Sequence, residues 1–302
     1  MTRSPLAAVP PALRGPVLML IATFLITGMQ ALVRIAGNEV PPFEVAFFRN
    51  LFGLVVVLPL LYRAGFGILK TKHLKLHAVR GALQTSTMLL YFTALTLNPL
   101  AQNIALSFTA PLFATVLAIV VLGERAGWRR WAALVVGFVG AWTVIRPGFE
   151  AVSVGALLVV LSSSGWAVTM IIIKYLGRTE SSLTITVYMG LFMAPLSAIP
   201  AAFVWQWPDP VTFAMLVAIG CLGGLGQLAM AQAFKEADTT AVMPFDFLRL
   251  IWAAALGFLV FAEVPDVWTW IGGSLIFGAT TYIAFREARL KRAPAAPQPA
   301  TE

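Results

Sequence analysis

A single cysteine, Cys221, stands in a chain of 302 residues. An intramolecular disulfide and any thiolate metal knuckle are therefore excluded, and Cys221 reads as a small buried helix residue. Histidine is nearly as scarce: His73 and His77, spaced i, i+4 in a Lys-rich segment. With no third ligand close by, they fit a solvated basic loop better than a metal site. No G-x-x-x-x-G-K-[ST] loop for nucleotide phosphates, no G-x-S-x-G, no H-E-x-x-H and no catalytic carboxylate pair in one helix register is present. No enzyme activity, cofactor or metal is expected. Charge is short as well, 11% against 59% hydrophobic, where soluble domains carry about a quarter charged residues. Such a chain belongs in a bilayer.

Long stretches lack Asp, Glu, Lys and Arg altogether: Gly15 to Val33, Gly81 to Gly123, Ala151 to Ile173, Ser181 to Pro208 and Pro210 to Phe234. The second is too long for one span and is interrupted by Asn98-Pro99, which marks a turn between two helices. Ten spans are predicted, at 15–36, 43–63, 78–97, 99–122, 128–145, 153–174, 183–204, 210–233, 239–262 and 266–285. The net charge of +8 comes from basic residues that flank these spans, so it speaks for orientation rather than nucleic acid. On one side fall Arg3, Arg14, Arg63, Lys70, Lys72, Lys75, Arg80, Arg125, Arg129, Arg130, Lys174, Arg178, Lys235, Arg286, Arg289, Lys291 and Arg292; only Arg34 and Arg146 lie on the other. That bias puts both termini in the cytoplasm.

The two halves echo each other. A shift of 140 lays Arg34-Ile35-Ala36-Gly37 on Lys174-Tyr175-Leu176-Gly177, and a shift of 139 lays Phe108 on Phe247, Glu124 on Glu263 and Trp131 on Trp270. Five spans per half is an odd number, so the second copy must insert upside down. The expected organisation is a short disordered cytoplasmic lead (1–14), a first five-helix repeat (15–146), a second inverted repeat (151–286) and a cytoplasmic tail (287–302). The fold class is all-α integral membrane protein, ten helices around a central cavity.

This layout, together with Phe47-Phe48-Arg49-Asn50-Leu51-Phe52 in the second span, Pro111 in a span ending Leu122-Gly123-Glu124, and the echo Phe261-Ala262-Glu263, resembles the drug/metabolite transporter superfamily. Within it the chain looks like the EamA-type exporters, most of all the bacterial aromatic amino-acid exporters. The resemblance implies a multi-pass protein of the bacterial cytoplasmic (inner) membrane, moving small metabolites outward by alternating access without nucleotide hydrolysis. In one place the chain departs from the pattern: Met189 stands where the second copy of Arg49 would map, so no role carries over to that position.

Polar residues inside the spans mark the inward faces. Thr23, Thr27, Gln30 and Arg34 form one stripe of the first span, and Gln84, Thr87, Met88 and Tyr91 share a face of the third. Asn103, Ser107 and Ala110 do so in the fourth, Ser162, Trp166 and Thr169 in the sixth, and Gly220, Gly223, Gly224 and Gly226 in the eighth. Small residues and hydroxyls also serve helix packing. Gln30, Gln84, Tyr91 and Asn103 either line a cavity or bond between helices. Trp166 falls mid-span, away from the interface where aromatic belts form, and is expected to face the cavity; Trp252 is left open. Arg49, near the outer end of its span beside Glu39 and Glu44, is expected to snorkel.

Asp246 and Arg249 are the costliest pair, two charges within the apolar run Thr239 to Ala262. At i, i+3 they share a helix face and, under the shift of 139, map onto Ser107 and Ala110. They either brace helices, or meet the ammonium and carboxylate of a zwitterion, or, in Asp246, take up protons. Pro111, Pro244, Gly223 and Gly224 are candidate flexing points. The partners expected are a small-molecule substrate and the bilayer, with no obligate protein partner. A proton-coupled multidrug efflux pump is the alternative, and a membrane-embedded lipid-handling enzyme a distant one.

Overall fold

The computed structural model describes residues 10–121, 123–124, 126–146, 153–237 and 239–292. Residues 1–9 of the lead, Arg125, the 147–152 link between the halves and residues 293–302 of the tail lie outside the described residues. Among the described residues the chain is helical and has no strand. Helices α1 (Pro11–Ala36), α2 (Pro42–Ala64) and α3 (Leu74–Leu97) precede two short ones, α4 (Leu100–Ser107) and α5 (Ala110–Val120), then α6 (Trp128–Ile145). The second half repeats the order with α7 (Val154–Leu176), α8 (Ser182–Phe203), α9 (Pro210–Glu236), short α10 (Thr239–Asp246) and α11 (Leu248–Phe261), and α12 (Val267–Arg292).

Local sequence writes the helix starts. Proline occupies the first turn of α1, α2 and α9, where its missing amide costs nothing. Ser153, Ser181 and Asp209 cap α7, α8 and α9, accepting from Ala156 N at 3.3 Å, Thr184 N at 3.1 Å and Val211 N at 2.8 Å. Among the described residues, seven segments are long and apolar enough to cross a membrane: Leu13–Ala36 of α1, α2, Leu100–Val120, α7, Leu183–Phe203 of α8, α9 and Pro244–Phe261. The other three expected spans correspond to α3, α6 and α12, which carry His77 and Arg80, Arg129 and Arg130, and Arg286 within their helical turns.

The fourth and ninth spans differ from expectation, since each is two helices rather than one. The breaks fall at Phe108 and Phe247, positions 139 apart, and their rings stack with centroids 6.3 Å apart. Pro111 explains the first break: its absent amide is the one that would have bonded the Ser107 carbonyl. Both broken spans also end alike. Gly123 and Ala262, again 139 apart, take left-handed φ of 66° and 53°. The next amide then folds back, Glu124 N to Ala118 O at 3.2 Å and Glu263 N to Gly257 O at 2.9 Å. Each bond reaches one residue further back than the Schellman 6→1 closure, through a left-handed residue that costs glycine nothing and Ala262 about 1 kcal/mol.

At one helix crossing the backbones themselves touch. α6 meets α12 at Gly140 and Gly272, where a Cβ on Gly140 would lie 2.7 Å from the Gly272 carbonyl oxygen. The solvated basic loop expected around the histidines does not hold for His77. It is only 1% exposed, its Nε2 lies 2.8 Å from Glu180 Oε2, and its ring stacks on Tyr188 at 4.5 Å. Arg80 is buried beside it and donates to the Ile185 carbonyl at 2.6 Å. The turn after α7 supplies Glu180, a partner that no local pattern around His77 reveals.

Candidate functional site

The α10–α11 break sets Asp246 at the end of one helix and Arg249 in the first turn of the next. Their closest atoms, Asp246 Oδ2 and Arg249 Nη1, are 3.8 Å apart, too far for a hydrogen bond. Asp246 Oδ1 and Arg249 Nε are both buried without a partner. The guanidinium carbon stands 5.8 Å over the Phe108 ring, a cation held against an aromatic face. On α3 the Tyr91 hydroxyl lies beside Arg249 and within hydrogen-bonding reach of Ser107. Phe247 and Phe277 pack at 4.6 Å behind this group.

Two more amides carry unpartnered buried oxygens, Gln30 Oε1 on α1 and Gln84 Oε1 on α3. Gln84 gives its amide nitrogen to Met189 Sδ at 3.1 Å and lies two turns before Tyr91 on the same face. Gln30 lies two turns after Thr23, whose hydroxyl accepts from Trp252 Nε1 at 3.3 Å. Trp252, one turn beyond Arg249, therefore belongs to the interior. Buried polar atoms in native interiors are nearly always bonded; Gln30, Gln84, Asp246 and Arg249 each leave one unpartnered on the helices around this break, as Glu44, Arg80 and Thr281 do elsewhere in the fold.

Not every expected residue joins this surface. Asn103 is fully used at the α3–α4 corner, donating to Ala94 O at 3.0 Å and accepting from Asn98 Nδ2 at 3.1 Å. Ser107 bonds back to Ile104 O at 2.7 Å. Trp166 is half-buried on α7, apart from the Asp246 cluster. Gly223 and Gly224 lie within unbroken α9 and admit close neighbours: a Cβ on Gly223 would stand 2.9 Å from Met29 Sδ, one on Gly224 3.0 Å from Val56 Cβ. Packing accounts for them without flexing. The breaks lie three residues from Pro111 and from Pro244 rather than at the prolines.

Arg49 overturns its expected place at the interface. Its guanidinium turns inward against α9, so that Nε would lie 3.2 Å from a Cβ on Gly223, and Nη1 donates to Asn50 Oδ1 at 3.2 Å. Asn50 in turn donates to Ser197 Oγ at 3.1 Å, fixing α2 to α8. The sequence held a signal for this: the glycines of α9 leave a gap that a long side chain from α2 can enter.

At the ends of the two broken spans the acids are paired. Arg34, closing α1, grips Glu263 with both guanidinium nitrogens, one at 2.6 Å, while the Leu100 amide donates to the same carboxylate at 3.3 Å. The Arg34 carbon also stands 4.4 Å over the Phe261 ring. In the matching positions of the other half, Lys174 Nζ reaches Glu124 at 3.5 Å and Arg130 reaches it at 3.1 Å. Partial burial raises the Glu124 carboxyl, but the Arg130 hydrogen bond and the charges of Lys174 and Arg130 outweigh it and hold it below the ordinary carboxylate range. Glu263 is thus held by one bidentate guanidinium, and Glu124 is shared between two single contacts.

Many apolar crossing helices, two of them broken beside unpartnered polar groups, are the architecture of a polytopic membrane protein with a polar interior. The model of the EamA-like transporter family matches twice, over residues 13–146 and 153–285, and the chain belongs to that family. It is 33% identical over 253 residues to an S-adenosylmethionine uptake transporter of Rickettsia felis, covering 84% of this chain and 86% of that protein. A riboflavin transporter of Brucella anthropi is 33% identical over 263 residues, covering 84% and 91%. A pseudopaline exporter of Pseudomonas aeruginosa is 31% identical over 269 residues, covering 87% and 93%. A solved crystal structure shares the fold at a TM-score of 0.63 and 22% identity, covering 91% of this chain and 98% of that one. None of these three relatives is named for aromatic amino acids.

Proposed function

We propose that the chain exports small amphipathic metabolites across a bacterial cytoplasmic membrane by alternating access, with aromatic and other hydrophobic amino acids as the first substrates to test. The observation that carries this is the loose Asp246–Arg249 pair: two part-buried charges 3.8 Å apart, each with a buried atom that lacks a partner. A brace between helices gains from closing such a pair fully, because unpaired buried charge is costly. A site for an ammonium and a carboxylate gains from leaving it open. The phenyl rings of Phe108, Phe247 and Phe277 provide an apolar wall for the side chain that accompanies those charges. The named relatives carry S-adenosylmethionine, itself an amino acid bearing a purine ring, as well as riboflavin and pseudopaline, and they include both an uptake transporter and an exporter. Small organic cargo is the common denominator.

Equivalent breaks, left-handed helix ends and acids 139 residues apart support a repeat, and five spans per half with the bias of basic residues support its inversion with both termini cytoplasmic. In that arrangement Arg34–Glu263 closes the external end and Lys174–Glu124 the cytoplasmic end. The decisive experiment is counterflow of labelled phenylalanine, tryptophan and methionine, with S-adenosylmethionine and riboflavin alongside, in proteoliposomes. Accumulation of an amino acid above empty vesicles is expected; movement of riboflavin alone would discard the zwitterion site. The second reading, proton-coupled drug efflux, rests on the free Asp246 Oδ1 and requires substrate-driven proton flux that Asp246→Asn abolishes.

A further inference from the structure

Where α6 ends and α12 begins, Arg146 Nη2 meets Asp266 Oδ2 at 2.5 Å. Asp266 also caps α12 there, accepting from Thr269 N at 2.7 Å. The shift of 139 carries residue 127 onto Asp266 and Arg146 onto Phe285, one position before Arg286, so at the opposite end of these two helices Arg286 is the nearest counterpart of Arg146 and residue 127 that of Asp266. The arginine is in place: Arg286 Nη2 lies 3.5 Å from where a Cβ on residue 127 would stand. The acid is not, because that residue is Gly127, and α6 begins there without a side-chain cap. Among the described residues no carboxylate pairs with Arg286.

Beside this gap a groove of about 340 Å³ opens between α6 and α12, lined by Trp128, Arg129, Val136, Gly278 and Tyr282. Its mouth is aromatic and basic. Trp128 and Tyr282 are exposed, Arg129 lies 5.5 Å over the Trp128 ring, and Arg286 follows Tyr282 by one helical turn. Deeper in, the lining is aliphatic. Tryptophan and tyrosine at such a level mark the headgroup boundary of a bilayer, and basic pockets between helices there hold anionic headgroups.

We infer that this groove binds an anionic phospholipid, its phosphate between Arg286 and Arg129 where the other end of the helices has the Asp266 carboxylate, and an acyl chain along the aliphatic lining. A free phosphate would use the two arginines and leave that lining uncovered, which is why the whole lipid is the occupant. Assignment to the cytoplasmic leaflet rests on the proposed orientation; the site itself does not.

The test uses the purified full chain, stripped in detergent and offered phosphatidylglycerol or phosphatidylcholine, with native mass spectrometry counting retained lipid. Wild type should retain phosphatidylglycerol in preference, and Arg286→Ala and Arg129→Ala should each lower that retention about fivefold, the equivalent of ~1 kcal/mol per basic residue. Gly127→Asp supplies the missing carboxylate and should abolish the preference while leaving the melting temperature in phosphatidylcholine unchanged or raised. That variant also stands should Arg286→Ala fail to fold. Equal retention of both lipids by wild type, or a preference that survives Gly127→Asp, overturns the site. A melting shift that inorganic phosphate alone reproduces overturns the lipid as occupant. None of these readouts depends on which way the chain inserts.

Discussion

Arg249, Arg49 and Arg80 show how differently one residue type is used within a single apolar chain. Arg80 gives a guanidinium proton to a main-chain carbonyl of α8 and Arg49 gives one to its neighbour Asn50, whereas Arg249 has only a distant carboxylate and a ring face. Replacing Arg249 by Ala should therefore lower transport by about tenfold or more, the worth of a charged hydrogen bond, with membrane insertion and melting temperature close to wild type. Loss of folded protein in Arg249→Ala, with transport restored in an Arg249→Met variant that refills the volume, would show the residue to be a brace. Glu180 makes a separate prediction. Burial raises its carboxyl, but hydrogen bonds from Thr71 and His77 and the nearby His charges outweigh that and hold it low. A depressed carboxylate stabilises the folded state in full above its unfolded pKa of about 4.3 and loses that contribution as pH falls through the folded value. Thermal melts should accordingly drop below about pH 4, and Glu180→Gln should flatten that acid limb while melting lower at neutral pH.

The broken helices determine what can move. A continuous helix transmits a tilt along its whole length, but a break at Phe108 or Phe247 lets each half-helix swing separately, and the two rings stacked at 6.3 Å sit where the four half-helices meet. Clasps at the outer tips of α5 and α11 then bias which end opens. Arg34–Glu263 is bidentate, whereas Glu124 is shared between Lys174 at 3.5 Å and Arg130 at 3.1 Å, so the tie to α1 is the firmer of the two. Glu263→Gln should weaken the firm clasp by about 0.5–1 kcal/mol, given its partial exposure, and shift the balance of states some two- to fivefold. Reactivity of a cysteine at Tyr91, in a Cys221→Ala background, toward a membrane-impermeant reagent reads that balance. It should rise from the Arg34 side in Glu263→Gln and from the Lys174 side in Glu124→Gln. Equal reactivity from both sides in both variants would remove the clasps from the mechanism.

Across the whole molecule, the sequence made the crossing helices and the two-fold echo legible because both depend on local composition: charge-free runs, proline starts, and matching Gly/Ala-Glu ends. The polar atoms of Gln30, Gln84, Tyr91, Asp246 and Arg249 could likewise be picked out, since a polar residue in an apolar run must be explained. What escaped was pairing at long range. His77 with Glu180 and Arg49 with the Gly223 gap depend on how helices far apart in sequence come together, and no periodicity records which of them meet. The sense of insertion is the remaining global property, and the repeat makes it testable with two residues. Asn38 and Arg178 are 140 positions apart, both exposed in equivalent turns after α1 and α7. If the second half is upside down relative to the first, they lie on opposite faces of the membrane. In the Cys221→Ala background, Asn38→Cys should react with an impermeant maleimide in intact cells, and Arg178→Cys only in inside-out vesicles. Labelling of both from one face would mean parallel halves, and Arg34–Glu263 and Lys174–Glu124 would then close the same end rather than opposite ones.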